Sequence, residues 1–168
     1  FGAPATVFIA TDLVEKHSPL WVDRLEYALG HTKLPKIEIE IERHRRFFRL
    51  ENLLKRTDAD IYLRNNFKKI PDAERKTKLE KIESCSGTAL ISTFETSPYR
   101  GLTWDQILVM AENKIEFAPH TMSHPILTHM PLPQAEEEII ESYHFLKKRM
   151  GNPLPVFAYP LPSPERVV

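Results

Sequence analysis

Short apolar segments alternate with segments that carry helix signals, and this order restricts the fold to the mixed α/β class. ATVFIA (residues 5–10), IEFA (115–118) and LPVFAYP (154–160) are compact and apolar, as expected of buried strands. The predicted order of elements is β-α-β-β-α-α-α-β-α-β, and the helix before each late strand implies a parallel crossover. A barrel and a doubly wound sheet both fit this order.

These apolar segments also predict the core. Residues with large apolar side chains on adjacent parallel strands should all be buried: Val7, Phe8, Ile9, Ile115, Phe117, Val156 and Phe157.

The middle of the chain has a different pattern. KIEIEIE (residues 36–42) alternates strictly, which indicates a strand with one solvated face. RHRR (43–46) is interpreted as a solvated polar turn, and FFRL (47–50) as the hairpin partner. From 57 to about 83 the pattern is helical and highly charged, with Pro71 dividing it into two helices. We expect these helices to form a solvated insertion.

Helix ends are marked by capping residues in two places. Ser18 suits the N-cap of a helix, Pro19 its first position and Gly30 the residue just past its end. Thr103 followed three positions later by Gln106 forms a capping-box pattern before an apolar run. Both patterns predict where a helix starts.

The longest predicted helix spans about 134–150 and precedes the last apolar segment. Acidic residues crowd its first turns, basic residues its last turn, and Gly151 ends it. In parallel α/β folds, function gathers at the carboxyl ends of the strands. His120 follows one predicted strand end, and the YPLP turn (159–162) follows another.

Composition excludes several classes of protein. The 168 residues include 23 basic and 23 acidic ones, so no field of one sign suggests a nucleic acid partner. No apolar run approaches the roughly 20 residues of a membrane span. The single cysteine, Cys85, excludes an internal disulfide and a site built from several cysteines. Since FGAPATVFIAT starts without Met and already approaches a strand, we interpret the chain as a fragment, with localisation undetermined.

Three histidines lie within FAPHTMSHPILTHMP (residues 117–131). His120 and His124 are four apart and would face the same way on a helical turn, whereas His129 would lie about 180° round. Such a pair supplies two ligands of a zinc site, which needs a third protein ligand and an open position for catalysis. The location of that third ligand is then the main question.

Several segments, in order, resemble the polysaccharide deacetylase family, also called the NodB-homology or family-4 carbohydrate esterases. GAPATVFIAT is similar to the strand after the family's first motif, and LWVDRLEYAL to its next helix. LTWDQILVMAENKIEFAPHTMSHPILTHM resembles the segment with the His-Ser/Thr-x-x-His motif. FAYPLP resembles the family's Phe-Ala-Tyr-Pro-aromatic-Gly turn. The matches span nearly the whole chain apart from 34–98.

The resemblance implies an α/β fold: a distorted (β/α) barrel of the NodB type with a partly helical insertion. It implies one domain over 1–168, incomplete at both ends, with 34–98 as the insertion.

The resemblance also implies site residues. His120 and His124 match the two metal-ligating histidines, and His129 matches no ligand. The third ligand and the general base are Asp residues of a motif expected before Phe1. Tyr159, Pro160 and Leu161 match the turn that meets the substrate, with the backbone N–H of Leu161 facing the oxyanion. Leu161 replaces the usual aromatic and Pro162 the usual glycine.

The implied activity is metal-dependent removal of N-acetyl or O-acetyl groups from a carbohydrate polymer. The cofactor would be zinc or another divalent ion such as cobalt or nickel, and the partner an N-acetylated glycan. Relatives often act at the cell envelope or are secreted. The 168 residues alone should be inactive, because the catalytic base is expected outside them.

Two other functions stay open. A catalytically silent carbohydrate-binding or scaffold module of the same fold would fit the departure at Pro162. Hydrolysis of amides in small molecules would fit the same metal pair. The first motif separates enzyme from silent module, since only the enzyme needs its two Asp residues.

Overall fold

The structure, a computed structural model, describes residues 3–41, 43–88 and 98–160. It is a mixed α/β chain. In chain order its elements are β1 (Ala5–Ile9), α1 (Thr11–Glu15), α2 (Trp21–His31), β2 (Lys36–Ile41), β3 (His44–Arg49), α3 (Leu53–Phe67), α4 (Asp72–Ser86), α5 (Trp104–Glu112), β4 (Ile115–Pro119), a 3₁₀ turn (Leu127–His129) and α6 (Leu132–Met150). Up to α6 this is the predicted order, with the short α1 added. None of the described helices is long and apolar enough to cross a membrane.

The chain divides into two compact units. The first unit comprises Phe1–Ser18 and Arg100–Val168, and the second comprises Pro19–Tyr99. The predicted insertion, 34–98, lies inside the second unit.

In the first unit, β1 and β4 pair in parallel from Ala5 opposite Ile115 to Ile9 opposite Pro119. The core beneath them combines both strands with three helices. Its buried members are Ile9, Val14, Ile107, Phe117 and Leu146. Burial of these apolar side chains is the largest favourable contribution to the packing of the strands against the helices.

The start of α5 agrees with its capping prediction. The Thr103 hydroxyl accepts a hydrogen bond from the Gln106 amide at 3.3 Å, and the Gln106 side chain accepts one from the Thr103 amide at 2.9 Å. Two N–H groups that the helix cannot satisfy internally are thus satisfied.

The prediction that β1 is buried on both faces is wrong. Ile9 is buried, whereas Val7 is half-buried and Phe8 is 39% exposed. Among the described residues only β4 pairs with β1, so β1 is an edge strand here. Ile115 is likewise half-buried rather than buried.

The predicted strand over 154–160 is also wrong for the described chain. The Leu154 amide donates to the Phe117 carbonyl at 2.8 Å, so the segment runs beside β4 without forming a ladder. Pro155 has no N–H to donate, and the Val156 amide turns back to the Leu154 carbonyl. Val156 is consequently 46% exposed, and Phe157 is only half-buried.

In the second unit, β2 and β3 form the predicted hairpin, with Ile41 opposite His44. The alternating pattern of β2 is confirmed, since its three isoleucines are buried. The predicted turn over 43–46 is mostly wrong, because only Arg43 lies in the turn and β3 already begins at His44. Pro71 separates α3 from α4, as predicted.

Both predicted ends of α2 are wrong. The helix starts at Trp21 with Leu20 as N-cap, and Gly30 lies inside it. The guanidinium of Arg56 donates to the carbonyls of Leu29 at 2.9 Å and Gly30 at 2.5 Å. These bonds satisfy terminal carbonyls that a left-handed glycine would otherwise help to satisfy.

The sheet core predicts a large difference between two phenylalanines. Phe117→Ala should lower the free energy of unfolding by about 3–5 kcal/mol, because Phe117 is 2% exposed and its loss leaves a cavity. Phe8→Ala, on the paired strand, should cost on the order of 1 kcal/mol. Urea unfolding measures both values, and equal costs would contradict the assigned core.

Asp23 on α2 has a raised pKa of about 6. Burial is the main cause, the negative charge of Glu26 adds to it, and the nearby Arg64 opposes it. A carboxyl with a raised pKa favours the folded state fully below its unfolded pKa and loses that contribution as the pH rises through 6. Asp23→Asn should therefore become more stable than wild type above pH 6 by about 1–2 kcal/mol, a value reduced for solvent screening.

Urea unfolding between pH 4 and pH 7 tests this difference. Asp58→Asn, at an exposed acid on α3, is the control. A constant difference between Asp23→Asn and wild type across this range would contradict the assignment.

Candidate metal centre

His120 directly follows β4, and His124 lies four residues on in a loop that leads to the 3₁₀ turn. The two ring centroids are 4.8 Å apart, with the ring planes at 73°. The loop is not helical, because Thr121 and His124 have φ angles of 67° and 58°. The two histidines selected by the spacing argument do lie close together, but the helical reason for it does not apply, because the loop contains two left-handed residues.

The ring of His120 has a defined tautomer. Its Nδ1 lies 2.7 Å from the carbonyl oxygen of Ala158. A carbonyl can only accept, so Nδ1 carries the proton and Nε2 of the neutral ring keeps a lone pair. A hydrogen bond from the second nitrogen to a backbone carbonyl is the usual support of a metal-binding histidine.

The hydroxyl of Thr121 connects the two histidines through their backbones. Thr121 is fully buried. Its Oγ1 donates to the His120 carbonyl and accepts from the His124 amide at 3.0 Å. The Thr121 hydroxyl thus links the backbone of His120 to the backbone of His124.

The loop is also fixed to the start of the unit. The His120 amide donates to the Ile9 carbonyl at 2.9 Å. The Thr11 amide donates to the Thr121 carbonyl at 3.2 Å, and the Asp12 amide to the Met122 carbonyl at 2.9 Å. The first amides of α1, which lack helical partners, are satisfied in this way.

Glu138 on α6 binds the middle of the loop. Its Oε2 accepts from the Met122 amide at 2.7 Å and from the Ser123 amide at 2.9 Å. Its Oε1 accepts from the Ser123 hydroxyl at 2.6 Å. The residue is only 8% exposed. Its carboxylate is thus hydrogen-bonded to the loop and largely shielded from solvent.

Sequence reasoning missed Glu138, although a signal exists. The buried residues of α6 are Ala135, Glu138, Ser142 and Leu146. Their spacing of three or four places Glu138 on the buried stripe of the helix. A carboxylate on such a stripe needs hydrogen-bond donors, and the loop supplies them.

The pair fits a divalent metal ion in chemistry and spacing. Neutral imidazoles bind zinc at about 2.0–2.1 Å, and two of them in tetrahedral geometry have ring centres about 5 Å apart. The observed 4.8 Å is close to this value. No third His, Cys, Asp or Glu within 3–41, 43–88 and 98–160 joins the pair, His129 included.

The predicted substrate turn is only partly described. Tyr159 is 64% exposed and Pro160 is buried. They follow Ala158, whose carbonyl binds His120, so the turn starts beside the histidine pair. Leu161, the predicted oxyanion donor, lies outside the described residues, as does Pro162.

Comparison with known proteins gives one match. No curated protein and no solved structure matches the chain. The sequence model of the family described as polysaccharide deacetylase matches residues 1–166. This match covers almost the whole chain and agrees with the resemblance of the His-Thr-x-x-His segment. The family's activity is deacetylation of carbohydrates, and its substrates are glycans. The chain therefore belongs to the polysaccharide deacetylase family.

Proposed function

We propose that this protein is a metal-dependent hydrolase that removes acetyl groups, N-linked or O-linked, from a carbohydrate polymer. The observation that carries the proposal is the pair of imidazoles 4.8 Å apart, one of them held in the tautomer that leaves Nε2 for a ligand bond. Family membership supports a glycan as the substrate.

His120 and His124 would hold zinc or another divalent ion such as cobalt or nickel. Borderline ions of this kind suit imidazole ligands. A bound ion of this type supplies polarisation of the acetyl carbonyl and activation of water.

The turn after Ala158 would receive the acetyl group. We assign the oxyanion contact to the backbone N–H of Leu161, because Pro160 has none to donate. One such donor typically contributes about 3–4 kcal/mol to the transition state. Tyr159, which is 64% exposed, is available to contact the sugar.

The proposal includes the fold that would complete the site. We assign residues 1–168 to one domain with the distorted (β/α) barrel fold of the NodB type, in which about 34–98 is an insertion. The third metal ligand and the general base would be Asp residues of the family's first motif, on a strand before Phe1.

A silent carbohydrate-binding module is the second candidate. The observation in its favour is that no third ligand joins the pair among the described residues. Pro162 in place of glycine also favours a reshaped turn. Hydrolysis of small-molecule amides would use the same two histidines and differ only in substrate.

Acetate release from an N-acetylated oligosaccharide tests the proposal. A chain extended to include the upstream Asp motif and the downstream motifs should be active with added zinc or cobalt. His120→Ala or His124→Ala should lower activity by more than about 100-fold, since even groups that support metal ligands contribute 10–100-fold. The 168 residues alone should show little activity.

His144→Ala, at an exposed histidine on α6, is the matched control and should leave activity unchanged. Full activity of the 168-residue chain would mean that the catalytic residues are misplaced. An extended chain that binds the oligosaccharide without releasing acetate would favour the silent module.

A further inference from the structure

We propose that Glu138 is a positioning residue that holds the His120–His124 loop in its metal-binding shape before an ion binds. The inference rests on the proposed function, because it concerns the same two histidines. It assigns a role in metal affinity to a carboxylate on α6 that accepts hydrogen bonds from Met122 and Ser123, between the two histidines.

The first step is the strain in the loop. Thr121 and His124 both have φ angles in the left-handed region, at 67° and 58°. Residues with a β-carbon, and β-branched threonine above all, disfavour this region. The loop therefore requires bonds from outside to keep its shape.

The second step is that Glu138 supplies three such bonds between the two strained positions, in addition to the backbone bonds from β1 and α1. Its carboxylate accepts from the two successive amides of Met122 and Ser123 and from the Ser123 hydroxyl, at 2.6–2.9 Å. Hydrogen bonds to an ionised acceptor are about twice as strong as neutral ones. Successive amides that converge on one negative charge form a binding concavity of the kind that fixes loops around anions.

The third step separates this role from helix packing. The α6 helix also buries Ala135 and Leu146, so its apolar contacts do not depend on Glu138. The Glu138 carboxylate accepts three hydrogen bonds from the loop. The carboxylate is thus committed to the segment between the two histidines.

Loss of the carboxylate should loosen the spacing of the rings. An ion must then order the loop when it binds, and that ordering lowers its affinity. Residues that orient metal ligands typically change affinity by 10–100-fold when replaced.

Zinc affinity and amide hydrogen exchange together test the inference. Zinc itself is the probe, with its dissociation constant for the extended chain measured by competition with a chromophoric chelator. Glu138→Ala should weaken zinc binding by about 10–100-fold. In the metal-free protein it should also speed exchange of the Met122 and Ser123 amides, whereas exchange at Phe117 in β4 stays unchanged.

Three further variants make the result specific. Glu138→Gln keeps one carbonyl acceptor and should retain part of the zinc affinity. It replaces Glu138→Ala in the test if Glu138→Ala does not fold. Ser123→Ala removes only the hydroxyl contact and should have a smaller effect. Glu137→Ala, at the exposed neighbour on α6, should behave as wild type.

Unchanged zinc affinity and unchanged exchange in Glu138→Ala would overturn the inference. Faster exchange at Phe117 as well as in the loop would show a general structural role and would also overturn it. Absence of zinc binding in the wild-type protein would overturn the proposed metal function and, with it, the metal part of this inference. The exchange measurement would still decide whether Glu138 holds the loop.

Discussion

The loop from His120 to His124 is held by hydrogen bonds from three elements of the first unit, and the position of both imidazoles depends on them. β1 accepts from the His120 amide, the start of α1 donates to the Thr121 and Met122 carbonyls, and α6 contributes Glu138. A loop with two left-handed residues has little intrinsic preference for its shape. The main contribution of the sheet and helices to the site is thus to hold the five residues from His120 to His124 in place.

Local patterns predicted the elements whose stability is local. The capping box at Thr103 and Gln106 and the break at Pro71 depend on neighbouring residues alone, and both are confirmed. The predicted C-terminal end of α2 was wrong because Arg56, 26 positions after Gly30, satisfies its terminal carbonyls. The strand predicted over 154–160 was wrong because an apolar composition does not compensate for prolines that lack a donor.

In the candidate site, too, features that depend on neighbouring residues could be predicted, whereas features that depend on distant contacts could not. Residue types and the resemblance identified His120 and His124, yet helical spacing gave a wrong reason for their proximity. The tautomer of His120 depends on Ala158, 38 positions away, and no local pattern indicates that contact. Glu138 lies in a run of three acids that looks like a solvated helix start, and only its place on the buried stripe distinguishes it.

The most direct test of this account is a zinc-soaked crystal of the extended chain that includes the upstream Asp motif, with anomalous scattering recorded at the zinc edge. The account predicts one strong peak about 2.0–2.1 Å from Nε2 of both His120 and His124. It also predicts that the hydrogen bond from His120 Nδ1 to the Ala158 carbonyl is retained. A peak bound to Nδ1 of His120, or zinc held by other residues while this pair stays vacant, would contradict it.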